Sequence, residues 1–133
     1  MISNIKIKKI DREISSIIID DKKTYNSLSF KNLNDLLKAL KKLDNDKKVK
    51  VIILEGAGKG FSAGHNLKEV RGLKKRENYQ KLFSLCSKVM LQIVEGRKPV
   101  IAKVHGAAFA AGCQLVASCD LAYSSNDAVF ATP

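Results

Sequence analysis

Two runs of very small residues constrain this chain more than anything else in it. Residues 55–64 read Glu55-Gly56-Ala57-Gly58-Lys59-Gly60-Phe61-Ser62-Ala63-Gly64, and residues 106–112 read Gly106-Ala107-Ala108-Phe109-Ala110-Ala111-Gly112. Each follows a short aliphatic run, at 49–54 and 100–104, and each precedes a helical pattern. A strand that empties into a glycine-rich turn and then a helix, twice over, is the signature of an α/β fold with parallel strands. Small side chains also let a ligand come close to the backbone. The N–H groups of a helix's first turn have no partner within the helix and face outward with partial positive charge. Two such turns can aim two backbone N–H groups at one oxygen, which is an oxyanion hole. A plain tight loop has the same glycine pattern, so the pattern alone leaves both readings open.

The remaining elements fit this frame. Residues 5–10 and 14–19 predict two strands about a turn at Asp11-Arg12-Glu13. Leu33, Leu36, Leu37, Leu40 and Leu43 recur at helical spacing and predict a helix over 30–43, with Ser29 as N-cap. The strand at 49–54 reads as buried on both faces. A short helix begins near Asn66, and a second long one covers 77–94, where Tyr79, Phe83 and Met90 read as core. Gly96 and Pro99 separate it from the strand at 100–104. Residues 113–118 predict a short helix, and 121–123 and 128–130 two short strands. The 133 residues make one domain, and no apolar run approaches the roughly 18 residues of a membrane helix.

Familiar nucleotide motifs fail on the first turn. A P-loop needs Gly-Lys followed by Ser or Thr, but Gly60 and Phe61 follow Lys59, and a dinucleotide fingerprint needs a third glycine where Phe61 stands. Cys86, Cys113 and Cys119 form no close pair and no zinc pattern; Cys86 and Cys113 read as core. His105 ends a strand and reads as structural. The chain carries 24 basic and 13 acidic residues, net +11, with 19 of the basic ones in residues 1–80. That excess fits an anionic partner or simply a solvated lysine-rich surface.

Taken in order, Lys23-Thr24-Tyr25-Asn26-Ser27-Leu28, Gly60-Phe61-Ser62-Ala63-Gly64-His65-Asn66-Leu67, Lys98-Pro99-Val100-Ile101-Ala102, Gly112-Cys113-Gln114-Leu115, Cys119-Asp120 and the segment ending at Pro133 resemble the enoyl-CoA hydratase/isomerase (crotonase) superfamily. Cys113 to Asp120 and Cys86-Ser87-Lys88-Val89-Met90 look most like the branch called enoyl-CoA hydratase domain-containing protein three. The resemblance implies a crotonase-like spiral of ββα turns, incomplete here because the family's later part would follow Pro133. It implies a domain at 1–133, truncated at its C-terminus, with Val129 and Phe130 on an exposed apolar edge. It also implies an acyl-CoA or enoyl-CoA thioester as ligand, with no cofactor beyond that CoA, no metal, and trimers or hexamers for the full-length family.

Residue by residue, the resemblance puts the oxyanion-hole N–H groups on His65 and Ala111. It places Ala63, Asn66, Leu67 and Lys68 along the acyl and adenine ends of the CoA site, and Lys23 in the loop that meets the CoA phosphates. Gln114 stands where hydratases carry a glutamate. An amide has no titratable proton and is no general base. The second family glutamate falls just after Pro133, so neither carboxylate is in these residues. Asn66 replaces a usual Asp, and both cap helices; Asp120, after Cys119, holds a family position that the resemblance gives as structural. Three readings follow: thioester chemistry through an enolate, thioester binding without hydratase turnover, and RNA binding through Lys31, Lys38, Lys41, Lys42, Lys47 and Lys48, since some relatives bind RNA through a lysine-rich helix. No secretory or mitochondrial leader pattern is visible, so a cytoplasmic location is expected, or the mitochondrial matrix for a eukaryotic source.

Overall fold

A computed structural model describes residues 2–133. The chain opens with β1 (Ile5–Lys9) and β2 (Ile14–Ile19), a hairpin whose turn is held by the Asp11 carboxylate, which accepts the N–H groups of Glu13 at 2.8 Å and Ile14 at 2.9 Å. A 3-10 turn (Lys22–Thr24) leads to α1 (Phe30–Asn45), where the Ser29 hydroxyl accepts Asn32 N–H as the capping rule demands. Then come β3 (Val51–Gly56), α2 (Leu67–Gly72), α3 (Arg76–Glu95), β4 (Val100–Val104), β5 (Ala107–Phe109), α4 (Ala111–Ser118), β6 (Leu121–Ser124) and β7 (Val129–Ala131).

The strands form two sheets. The larger has the order β1-β2-β3-β4-β6, parallel except for β1, and the smaller pairs β5 with β7 in parallel. β4 lies in the first sheet, β5 in the second, and α4 follows; β6 and β7 repeat the step between sheets. This is the ββα spiral that the sequence resemblance implies.

Leu33, Leu36, Leu40 and Leu43 of α1 are buried with Leu82, Val89 and Ile93 of α3 in one core. Each such leucine contributes roughly 1.5–3 kcal/mol by leaving water. On the sheet the core set is Ile17, Ile19, Ile52, Leu54, Val100, Ala102 and Val104. The register puts these on one face, toward the helices. The opposite face is only half covered: Ile14, Ile18, Val51, Ile53 and Ile101 are half-buried. So β3 is not buried on both faces as its aliphatic run suggests; helices pack against one side alone.

Other expectations shift more locally. β3 begins at Val51 rather than 49, and α4 begins at Ala111 rather than 113. The small-residue run after β4 is not only a turn, because Ala107–Phe109 forms a strand. Met90 is buried and Tyr79 half-buried, but Phe83 is 47% exposed, since it lies beyond the apolar stripe of α3. Cys86 is buried and Cys113 only half-buried. Val129 and Phe130 are exposed, as an apolar edge requires.

Candidate functional site

The first glycine-rich turn is pinned from below by the loop before α1. Tyr25 and Asn26 both adopt left-handed backbone, φ 55°, which turns their carbonyls toward it. Ala63 N–H donates to Tyr25 O at 3.0 Å, and Leu28 N–H donates to Gly64 O at 2.7 Å. Ser62 is 1% exposed; its hydroxyl donates to Asn26 O at 2.8 Å and accepts Gly64 N–H at 3.2 Å. Phe61, wholly buried, plugs the turn into the core.

The second turn lies directly against the first. Ala107 O accepts the N–H groups of Phe61 at 3.0 Å and Ser62 at 3.1 Å, and Phe109 N–H donates to Ser62 O at 3.0 Å. Two glycines make this contact possible. A Cβ on Gly112 would stand 2.3 Å from Ser62 O. Gly64 has φ +89°, and a Cβ there would stand 2.9 Å from Phe109 O and 3.2 Å from Ala111 N. His65 therefore leaves a glycine that touches the first residue of α4. Among the described residues, neither His65 N–H nor Ala111 N–H donates to a protein acceptor.

The side chains around this contact are ordered by further hydrogen bonds. His65 Nδ1 lies 3.3 Å from Leu28 O, and its ring meets Phe83 edge-to-face with centroids 5.4 Å apart. Asn66 caps α2, accepting Lys68 N–H at 3.1 Å and Glu69 N–H at 3.2 Å. Glu69 then reaches across to accept Phe30 N–H at 2.9 Å, tying α2 to the start of α1. Ala63, Leu67 and Lys68 are exposed. Gln114 is exposed on α4, three residues after Ala111 and so on the same side of the helix.

The structure thus gathers Ala63, His65, Asn66 and Ala111 around one contact, with Gln114 one helical turn along. Lys23 sits apart, in a cleft of about 260 Å³ with Lys22, Tyr25, Asn26, Gly58 and Lys59. His105 Nε2 lies 2.7 Å from Gly58 O, and Asp120 accepts Val100 N–H at 2.8 Å, tying it to the start of β4. The roles of Asn26, Ser62 and Glu69 have no periodicity or spacing to announce them. Only the phrase Tyr25-Asn26-Ser27, polar residues in a loop just before a helix, marks the place.

The lysines of residues 31–48 differ in their surroundings. Lys31 pairs with Asp35 at 3.4 Å, whereas Lys38, Lys41 and Lys42 are exposed along α1. Lys47 and Lys48 instead join Lys9, Arg12 and Lys50 around a groove of about 740 Å³ beyond the hairpin turn. Burial holds the Cys86 thiol above its usual range and pushes Cys119 up to about 12, so both stay protonated. Among the described residues, no three His, Cys, Asp or Glu side chains cluster as metal ligands, and no helix is long and apolar enough to cross a membrane.

Comparison with known proteins gives a consistent answer. The sequence profile of the enoyl-CoA hydratase/isomerase family matches residues 9–133. Enoyl-CoA hydratase domain-containing protein 3, mitochondrial, is 41% identical over 120 residues in Rattus norvegicus, covering 90% of this chain and 40% of that protein. The Homo sapiens protein of the same name is 43% identical over 120 residues, with the same shares covered, 90% and 40%. Among solved structures, an enoyl-CoA hydratase of Mycobacterium smegmatis superposes with a TM-score of 0.92 at 43% identity, covering 96% of this chain and 49% of its own. Human enoyl Coenzyme A hydratase domain-containing protein 3 superposes with a TM-score of 0.92 at 41% identity, covering 98% of this chain and 51% of its own. The chain spans about 40% of the length of those curated relatives, and about half that of the solved ones.

Proposed function

Because this chain belongs to the enoyl-CoA hydratase/isomerase family, we propose that it binds a CoA thioester with the carbonyl oxygen between the backbone N–H groups of His65 and Ala111. The observation that carries this reading is the contact of Gly64 with Ala111, which sets two free donors on adjoining turns. Fixed N–H groups aimed at a thioester oxygen stabilise the negative charge it gains as an enolate forms. Ala111 opens an eight-residue helix, whose N-terminal partial charge adds to the effect. Lys23 and its cleft meet the CoA phosphates, while Ala63, Asn66, Leu67 and Lys68 border the path between phosphate and carbonyl.

Gln114 limits the chemistry. Its amide orients a water or the ligand's oxygen but neither takes nor gives a proton at neutral pH. This favours thioester binding and polarisation over hydratase turnover by the residues on hand. The exposed lysines of α1 carry no second reading of equal weight, because exposure and charge are all that recommends them. A matrix location rests only on the mitochondrial names of the two relatives above.

Carbonyl recognition is the testable core. Crotonyl-CoA is compared with S-butyl-CoA, a thioether lacking the carbonyl, by titration calorimetry. Binding of the thioester tenfold or more tighter, about 1.4 kcal/mol, is the expected result. Equal affinities would remove the oxyanion reading. Loss of crotonyl-CoA absorbance under the same conditions would show turnover and make Gln114 no barrier to it.

A further inference from the structure

The lysine cleft is assembled from two segments far apart in sequence. Lys22 and Lys23 come from the 3-10 turn before α1, and Gly58 and Lys59 from the loop after β3. The stem of Lys22 lies so close to Gly58 that a Cβ there would stand 2.9 Å from Lys22 Cγ. Between the segments lies Asn26, 1% exposed. Its Oδ1 accepts Asp21 N–H at 2.8 Å, just before the lysine turn. Its Nδ2 donates to Ala57 O at 2.7 Å and to Gly60 O at 2.9 Å, on either side of Gly58 and Lys59. Both amide hydrogens are used. Gly56 leaves room for them, since a Cβ there would stand 2.9 Å from Asn26 Nδ2.

We propose that Asn26 is the positioning residue of the phosphate cleft: its amide clamps the Lys22–Lys23 turn to the Gly58–Lys59 loop so that the ammonium groups of Lys23 and Lys59 act on one bound nucleotide phosphate, while that of Lys22 lies 3.8 Å from Asp20. This deepens the thioester reading and rests on it. The clamp is separable from the oxyanion side of the site. Residues 62–64 are held by backbone atoms of Tyr25, Asn26 and Leu28, which survive loss of the Asn26 side chain. Gly60 O, by contrast, takes its hydrogen bond from the Asn26 amide. Removing the amide therefore loosens phosphate recognition and spares carbonyl recognition.

The variant is Asn26→Gly, which tolerates the left-handed backbone (φ 55°) and removes only the clamp. Asn26→Asp is its companion, keeping the acceptor for Asp21 N–H while losing both donors. Calorimetry uses crotonyl-CoA, its 3′-dephospho form, S-crotonyl pantetheine and adenosine 3′,5′-bisphosphate. Wild type is expected to prefer crotonyl-CoA over the dephospho form. Asn26→Gly is expected to weaken crotonyl-CoA and the bisphosphate tenfold or more, to erase that preference, and to leave crotonyl pantetheine within about twofold. Lys59→Gln alone should erase most of the preference, and adding Asn26→Gly to it should change the preference no further.

Retention of the wild-type preference in Asn26→Gly or Asn26→Asp overturns the proposal. So does equal weakening of all probes in step with lost thermal stability, as in the core control Leu36→Ala, because that is a purely structural role. If Asn26→Gly does not fold, the Asn26→Asp and Lys59→Gln arms decide by the same criterion. Wild type that binds no thioester overturns the parent reading and this one with it. Thioester binding with an unchanged 3′-phosphate preference overturns this one alone.

Discussion

The two glycine-rich turns touch along their length but are supported in different ways. The first is held by a dedicated loop: the hydroxyl of Ser62, the carbonyls of Tyr25 and Asn26, Leu28 N–H and the Asn26 amide all converge on it. Its left-handed sites, at residues 58 and 64, are both occupied by glycine. The second borrows its position from the first, through Ala107 and Phe109, and from the last strand, where Ala110 N–H donates to Ala131 O at 2.8 Å. It puts an alanine, Ala110, at φ 51° and ψ −120°, a region in which only glycine is at ease. One donor of the pair is thus preorganised by polar side chains. The other is placed by contact and stores strain.

The sharpest way to break this pairing is to fill the space between the turns. Gly112→Ala puts a methyl 2.3 Å from the Ser62 carbonyl oxygen, a backbone atom that cannot step aside. The expected cost is about 2–4 kcal/mol in denaturant unfolding, together with loss of thioester binding. Wild-type stability in this variant would mean that the turns do not rely on each other. Ser62→Ala comes next. It leaves Asn26 O and Gly64 N–H without their partner in a buried place, which costs about 1–3 kcal/mol. Hydrogen exchange should then rise at Gly64 more than at Phe109, because only the first turn depends on that hydroxyl.

The contrast also explains what was legible in the sequence. Leu33 to Leu43, the two aliphatic runs and the glycines carry periodicity or punctuation, so helix, strands and turns could be placed to within a few residues. Asn66 as a cap follows from its place before a helix, whereas Asp120 as a structural acid comes only from the family resemblance. β5 could not be read, because Ala107, Ala108 and Phe109 become a strand only by pairing with the distant Val129, Phe130 and Ala131. Phe83 was misplaced for a similar reason: its ring sits at the edge of the α3 stripe, and the partner that holds it, His65, comes from another element. The clamp made by Asn26 shows no periodicity, since its three hydrogen bonds reach residues 5, 31 and 34 positions away; only its place in the loop before α1 marks it.

Strain in the second turn gives a prediction of opposite sign. Ala110→Gly relieves a conformation that costs an alanine of order 1–3 kcal/mol, against the extra chain entropy of glycine, roughly 0.5–1 kcal/mol. A net gain of about 1 kcal/mol is expected, read as a higher denaturant midpoint with unchanged slope. The same change at the first turn's alanine, Ala63→Gly, has no strain to relieve and should lower the midpoint. A gain from Ala63→Gly, or a loss from Ala110→Gly, would reverse the comparison.

The smallest effect separates the two turns by pH. On the first side, the Lys6 ammonium, hydrogen-bonded at 2.7 Å, holds the Asp20 carboxyl below its ordinary value of 3.8, with Lys22 adding to it. On the second side, the Ser125 hydroxyl and then Gly106 N–H hold the Asp127 carboxyl below 3.8. Both acids are easier to ionise folded than unfolded. Each therefore adds stability that is fully present above the unfolded value and is lost as pH falls through the lower, folded one. Surface exposure and salt keep both contributions small. Thermal melts of Asp20→Asn and Asp127→Asn between pH 7 and pH 3 should each fall less steeply than wild type on the acid side. High salt should flatten the Asp20 difference, which rests on a lysine pair, more than the Asp127 difference, which rests mainly on neutral donors.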